Sequence, residues 1–313
     1  MYWEKKGLIF SPKNNFGWMN SHAQVPTLLL KKNVLRVYFA TRPRKDLSLT
    51  TFCDLDINDL SKVVYIHNKP ILNPGDPGTF DEFGIMPSSV VEKNGLIYLY
   101  YSGWSRGITI PYNNYTGLAM SEDGGMTFKK YSLGPIVDRT PFEIYSATSP
   151  HVMFEKGKWH MWYTSGTNWH MINNKYEHTY DLKYASSKDG INWKRNYEVA
   201  VAQKDRYEAI TRPTVIKIGN KYYMWYCYRG SKSFRSGQDS YRIGLSISSD
   251  LRKWNRIDSE SGIKWSITGW DSRMTAYPAV IKIKNKIIMI YNGNDFGKEG
   301  FGYAVLTEKL QVI

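Results

Sequence analysis

Five prolines at near-equal spacing constrain this chain more than any other feature. Pro26, Pro87, Pro150, Pro213 and Pro278 are separated by 61, 63, 63 and 65 residues. Each opens a hydrophobic run, a turn of Gly, Asn and Lys follows, and an aromatic-rich run comes next. The five copies cover residues 26–39, 87–101, 150–163, 213–228 and 278–291, with turns at 31–33, 93–95, 156–158, 219–221 and 284–286. β-Branched and aromatic residues around such turns encode hairpins. A regular period of this length, made of strands, predicts the blades of an all-β propeller.

A second motif follows the three central hairpins. It runs Ser121-Glu122-Asp123-Gly124-Gly125-Met126-Thr127-Phe128, returns at 187–193 around Asp189-Gly190, and again at 248–254 around Asp250. An Asp-Gly or Asp-x core makes a tight turn between two outer strands, and the closing Phe or Trp anchors the outer strand. These boxes are expected to be structural. Four strands in each of five blades require twenty strands, yet little chain remains after the last hairpin beyond residues 301–306. Residues 3–10 alternate like a strand and are predicted to complete the fifth blade, which removes an open sheet edge. The prediction is therefore a single five-bladed β-propeller over residues 1–313, with four antiparallel strands per blade and an N-terminal strand closing the last.

In such a fold the inner strand leaves one face, the mouth, and the second strand returns to it. The segments before each proline and after each aromatic strand then share one opening. Asp81, Glu143, Glu208 and Asp271 precede four of the prolines, and no acid lies in 20–25 before Pro26. Around them the same logic gathers His22, Arg42, Trp104, Arg106, His151, Trp169, Arg212, Arg229, Arg273, Tyr277 and Asn294 as substrate-binding candidates. Carboxylates in an aromatic-lined pocket suit glycoside hydrolysis, which uses one carboxyl to protonate the leaving oxygen and another to attack or to activate water. The four acids are the catalytic candidates, with bracing of neighbouring blades through Arg212 and Arg273 as the alternative. His22, His151 and His170 show no metal-ligand spacing, and neither a metal nor a cofactor is expected.

The proline at each inner strand and the converging acids resemble the five-bladed β-propeller glycosidases: the arabinanase and xylosidase-like hydrolases, the invertase and levansucrase group, and the mannoside phosphorylases. Those families place three mouth carboxylates at or just before the inner-strand proline or glycine. This sequence departs from that pattern, with Met86 before Pro87 and Thr148-Ser149 before Pro150. The resemblance implies a saccharide-acting propeller without transferring a catalytic triad residue by residue. The box at 121–128 also resembles the sialidase Asp box, with Arg42, Arg212 and Arg273 as a conceivable carboxylate clamp. Sialidases have six blades, however, and five equal spacings argue against membership.

The formal net charge of +14 suits an anionic ligand, although many lysines fall on hairpin turns. No nucleic-acid-binding motif accompanies it. No stretch is long enough to span a membrane, and the N-terminus lacks a signal-peptide core. Cys53 and Cys227 fall within strand patterns and are read as buried free thiols. Together these predict a cytoplasmic carbohydrate-active enzyme, a glycosidase or related glycosyl-transferring enzyme for a small or anionic saccharide, phosphorylated sugars included. The alternatives are a non-catalytic saccharide-binding propeller, a sialidase-like hydrolase of acidic sugars, or a protein-interaction scaffold.

Overall fold

The structure is a computed structural model that describes residues 1–13, 15–235 and 237–307. Twenty strands account for nearly all its regular structure. The first, β1 (Trp3–Phe10), stands apart in sequence. Unit one contains β2 (Ser21–Leu30), β3 (Val34–Arg44), β4 (Leu47–Asp56) and β5 (Val63–Ile66). Unit two contains β6 (Gly84–Lys93), β7 (Leu96–Ser105), β8 (Asn113–Ser121) and β9 (Lys129–Lys130). Unit three contains β10 (Ala147–Glu155), β11 (Lys158–Ile172), β12 (Lys175–Ser187) and β13 (Lys194–Val201). Unit four contains β14 (Ala209–Ile218), β15 (Lys221–Arg229), β16 (Arg242–Ser248) and β17 (Asn255–Arg256). Unit five contains β18 (Ala276–Ile283), β19 (Lys286–Asn292) and β20 (Phe301–Leu306). Neighbouring strands within each unit pair antiparallel, and β1 pairs with β20 from Trp3↔Leu306 to Phe10↔Phe301.

Period-two alternation explains how the units stack. On β3, Val37 and Phe39 face unit five and pack with Phe10, Ile288 and Phe301, whereas Tyr38 faces unit two and packs with Leu99 and Tyr101. On β11, Met161 and Tyr163 meet Tyr100 of unit two, while Trp162 meets Met224 and Tyr226 of unit four. On β15, Trp225 turns instead to Trp3 and Tyr291 of unit five. Each sheet thus buries both faces against its neighbours, which is why the aromatic content is high. The inner strands pack in sequence, β2 on β6, β6 on β10, β10 on β14, β14 on β18 and β18 on β2.

The result is an all-β, propeller-like fold, held between units by packing more than by hydrogen bonds. Single parallel pairings at Ser48↔Gly84, Tyr115↔Ala147 and Tyr180↔Ala209 link units one to four. The sheet formed by β1, β20, β19 and β18 remains separate, so among the described residues no ladder closes on itself.

The boxes are turns, as expected. Asp123 accepts hydrogen bonds from the backbone N–H groups of Met126 and Thr127, and Asp189 and Asp250 repeat the pattern. Cys53 and Cys227 are buried and free. Among the described residues, no helix is long and apolar enough to cross a membrane.

Candidate active site

The proline that opens each repeat bends its strand. Pairing between inner and second strands shifts register around Pro26, Pro87, Pro150, Pro213 and Pro278. Four residues just before these prolines have left-handed backbone: Val25 (φ 51°), Ser149 (φ 47°), Arg212 (φ 59°) and Tyr277 (φ 52°). That conformation is costly for a β-branched residue and unusual before proline, and such strain concentrates at functional sites. The bulge re-aims side chains. Val25, Met86, Ser149 and Tyr277 consequently line one central cavity of about 370 Å³.

Second-strand ends and third-strand starts complete the wall. Arg42, Trp104 and Arg229 come from the former, Ser48, Asn114, Glu177, His178 and Tyr180 from the latter. Arg42 donates from Nε to Gln24 at 3.0 Å, and among the described residues its two terminal nitrogens have no protein partner. Arg229 donates to the carbonyls of Gly230 (2.8 Å) and His178 (2.9 Å) and lies 3.7 Å over the Phe234 ring. No carboxylate among the described residues pairs with either. Among the described residues, Glu177 alone brings a carboxylate to the cavity, and Arg235 grips it through both oxygens at 2.5 and 3.0 Å. Burial raises the pKa values of Tyr112, Tyr241 and Tyr277, so their phenols remain donors.

Unsatisfied polar atoms gather on the wall from units two and three. Asn114 Oδ1, Ser146 Oγ, Thr148 Oγ1 and His178 Nε2 are buried without a protein partner. A Cβ on Gly166 would fall 2.5 Å from His178 Nε2 and 2.7 Å from Ser146 Oγ, so glycine makes room for both. The His178 ring stacks on Trp169 at 4.1 Å, and burial, assisted by Arg229, lowers its pKa to about 3, which keeps it neutral. Buried polar atoms without partners are costly unless a ligand or water meets them. Their residues line the cavity, so a small side-chain rotation would bring these atoms to a ligand's hydroxyls.

The four acids nominated from sequence do not share this cavity. Each is buried in its own unit beneath a basic residue of the outermost strand. Asp81 accepts from Tyr101 Oη (3.0 Å) and Lys130 Nζ (2.6 Å). Glu143 accepts from Tyr163 (2.9 Å), Ser165 (2.7 Å) and Arg195 (3.0 Å). Arg256 grips Glu208 through both oxygens at 2.7 and 2.8 Å. Asp271 accepts from Lys5 (2.6 Å) and Tyr291 (2.8 Å). The physical reason is distance along the chain: the acids lie five to seven residues before the proline, whereas the inner-strand residues lining the cavity lie one to four before it. A repeated signal marks their partners, since Trp3-x-Lys5, Phe128-x-Lys130, Trp193-x-Arg195 and Trp254-x-Arg256 all place a base two residues after an aromatic.

The other candidates divide. Arg42, Trp104, Arg229 and Tyr277 line the cavity, and Trp169 backs His178. Arg212 lies beneath it, its guanidinium committed to the carbonyls of Ser88, Val25 and Pro26 and to Thr27 Oγ1. His151 also lies below, beside Arg212. His22 bonds Ser21 outside the wall, and Asn294 caps the backbone of Arg273 and Met274. Arg106 and Arg273 are exposed beside Asp46 and Asp295. Tyr112, Asn114, Ser146, Glu177, His178 and Tyr180 were not expected; reading the third strand backwards from each box reaches several of them.

Residues 170–241 match glycoside hydrolase family 130, described as β-1,4-mannooligosaccharide phosphorylase. That segment carries Glu177, His178, Tyr180, Arg229, Arg235 and Tyr241 of the cavity wall. The chain is 33% identical to "Uncharacterized protein Rv1502" of Mycobacterium tuberculosis, over 98% of its own length and 99% of that protein. It is 25% identical to a 1,2-β-oligomannan phosphorylase of Thermoanaerobacter, over 75% of this chain and 72% of the phosphorylase. A solved structure from work on β-1,2-mannoside hydrolases within the GH130 mannoside phosphorylases superposes with TM-score 0.72 at 15% identity, covering 98% of this chain and 94% of the other. The chain is a carbohydrate-active enzyme that belongs to one family with the M. tuberculosis protein, within the propeller glycosidase superfamily that includes the mannoside phosphorylases.

Proposed function

We propose that the chain is a single five-bladed β-propeller that cleaves or forms a small mannoside with an anion, inorganic phosphate, bound in the central cavity. The observation carrying this reading is the pair Arg42 and Arg229, buried or half-buried at one cavity without a carboxylate partner among the described residues. Hydrolysis in the usual form needs two carboxylates, and Glu177 is the cavity's single one among the described residues. Phosphorolysis needs one, because a phosphate oxygen attacks the anomeric carbon while the glycosidic oxygen takes a proton. In that direction Glu177 gives up one Arg235 hydrogen bond, takes a proton from solvent or the incoming phosphate and passes it to the glycosidic oxygen; in synthesis it accepts the proton back. The neutral polar wall around Ser146, Thr148 and His178 takes the sugar hydroxyls. Arginine suits the phosphate because its fork matches the oxyanion.

In this reading Asp81, Glu143, Glu208 and Asp271 brace the blades. Two unpaired, buried thiols fit a reducing cytoplasmic setting. The test is to incubate the protein with β-1,2- and β-1,4-mannobiose, with and without phosphate. Phosphate-dependent formation of mannose 1-phosphate is expected. Phosphate-independent release of mannose would make it a hydrolase, and saccharide binding without turnover would make it a binding module.

A further inference from the structure

A second cavity lies on the far side of Arg212 from the first. Its volume is about 170 Å³, room for several water-sized groups, and apart from Arg212 its lining residues are Pro213, Pro278 and residues one to three places after the repeat prolines. Thr27, Ser88, Ser89, His151, Arg212 and Thr214 supply its polar atoms. Arg212 is 3% exposed, yet all its hydrogen-bond acceptors are neutral, and no carboxylate pairs with it among the described residues. Its Nε–H has no partner. Thr214 Oγ1 accepts from the Val280 N–H at 3.1 Å, which leaves its own proton available to donate.

Burying a cation without a counter-charge is expensive. The expense registers in the guanidinium itself, whose pKa burial pulls down to about 10. The first cavity's arginines are reached from the mouth; this one faces residues farther along the inner strands, so the two cavities are chemically separate. We propose that this axial cavity binds a small monovalent anion of the chloride class, held by Arg212 Nε–H and the Thr214 hydroxyl. The anion completes the charge balance of Arg212, whose side chain joins β14 to β2 and β6 under the floor of the first cavity. Its effect is on the rigidity of that floor and on stability, with no part in bond cleavage.

The test uses the full-length protein in chloride-free gluconate buffer. Titration with sodium chloride or bromide at constant ionic strength should raise Tm along a saturating curve. Crystals soaked in bromide should show an anomalous peak within hydrogen-bond reach of Arg212 Nε. Thr214→Val should weaken the halide response about tenfold, and Arg212→Met, if it folds, should abolish it. A Tm indifferent to halide, or a cavity holding water only after the bromide soak, overturns the proposal. So does a Thr214→Val variant with an unchanged halide response.

Discussion

Lys5 and Asp271 allow the braces to be separated from catalysis in one experiment. Lys5 Nζ lies 2.6 Å from Asp271 Oδ2 and also donates to Ser266 Oγ at 2.9 Å, and Tyr291 donates to the same carboxylate oxygen at 2.8 Å. Asp271 is buried, whereas the Lys5 side chain is 24% exposed. Lys5→Met strands a buried carboxylate with one phenol for company, and losing one partner of a buried pair costs about 3–5 kcal/mol. Asp271→Asn leaves an ammonium that water can still reach, so its cost should be smaller, about 1–2 kcal/mol. The double variant should cost less than the two singles added together, with a coupling of roughly 1.5–3 kcal/mol. Urea denaturation of the four proteins measures the cycle, and Lys5→Met should lower Tm by roughly 5–8 °C. Turnover per folded molecule in Asp271→Asn should stay within about twofold of wild type, because the carboxylate never reaches the cavity. A hundredfold loss of turnover with unchanged Tm would refute the brace and return Asp271 to the catalytic list. Additive single effects would refute the pairing.

Three further outcomes are expected. Glu177→Gln should cut turnover by about 10²–10⁴ while leaving phosphate affinity near wild type, since general acid–base groups contribute in that range; steady-state kinetics and calorimetry check the two halves. Arg42→Met should weaken phosphate binding by roughly 10- to 100-fold through loss of charge-assisted hydrogen bonds worth about 1.5–3 kcal/mol, and calorimetry at fixed salt reads it. Burial raises the Asp181 carboxyl to about 6, so the native state holds its proton more tightly than the unfolded chain does. The resulting penalty is absent below about pH 4, grows between pH 4 and 6, and is complete above, at roughly 3 kcal/mol. Asp181→Asn should therefore stabilise the protein by roughly 3 kcal/mol at pH 7.5 and by only about 1 kcal/mol at pH 4.5; equal gains at both would contradict this origin.

The inner hairpins were legible because their signal is local: alternation, turn residues and a proline lie within about fifteen residues of one another. The N-terminal strand was legible by subtraction, as the piece that the last sheet lacked, and β1 does pair with β20. The cavity was harder to read. Charge drew attention to Asp81, Glu143, Glu208 and Asp271, but their side chains meet tyrosines and bases of their own sheets. The aromatic-x-base pattern on the outer strands announces those partners, although the pairing itself spans 48 to 266 residues. Glu177 and His178 escaped because β11 and β12 run to 15 and 13 residues, so the hairpin reaches past the point where a regular repeat would turn. Arg212 looked like a ligand contact by position, but its long side chain passes beneath the floor to the carbonyls of Val25, Pro26 and Ser88.

The bent strand before each proline has an evolutionary reach of its own. Because the backbone does the aiming, the residue it presents is free to differ: Val25, Met86, Ser149, Arg212 and Tyr277 hold equivalent places with unrelated chemistry. Four of them, Val25, Met86, Ser149 and Tyr277, line the cavity and make a combinatorial lock in which the pins change and the barrel stays, while Arg212 braces the floor. A descendant of this chain could reshape the cavity for a different ligand by substitutions at those places alone. The conserved expense would be the left-handed turn itself, so glycine or asparagine should be tolerated at Val25 or Ser149 more readily than another β-branched residue.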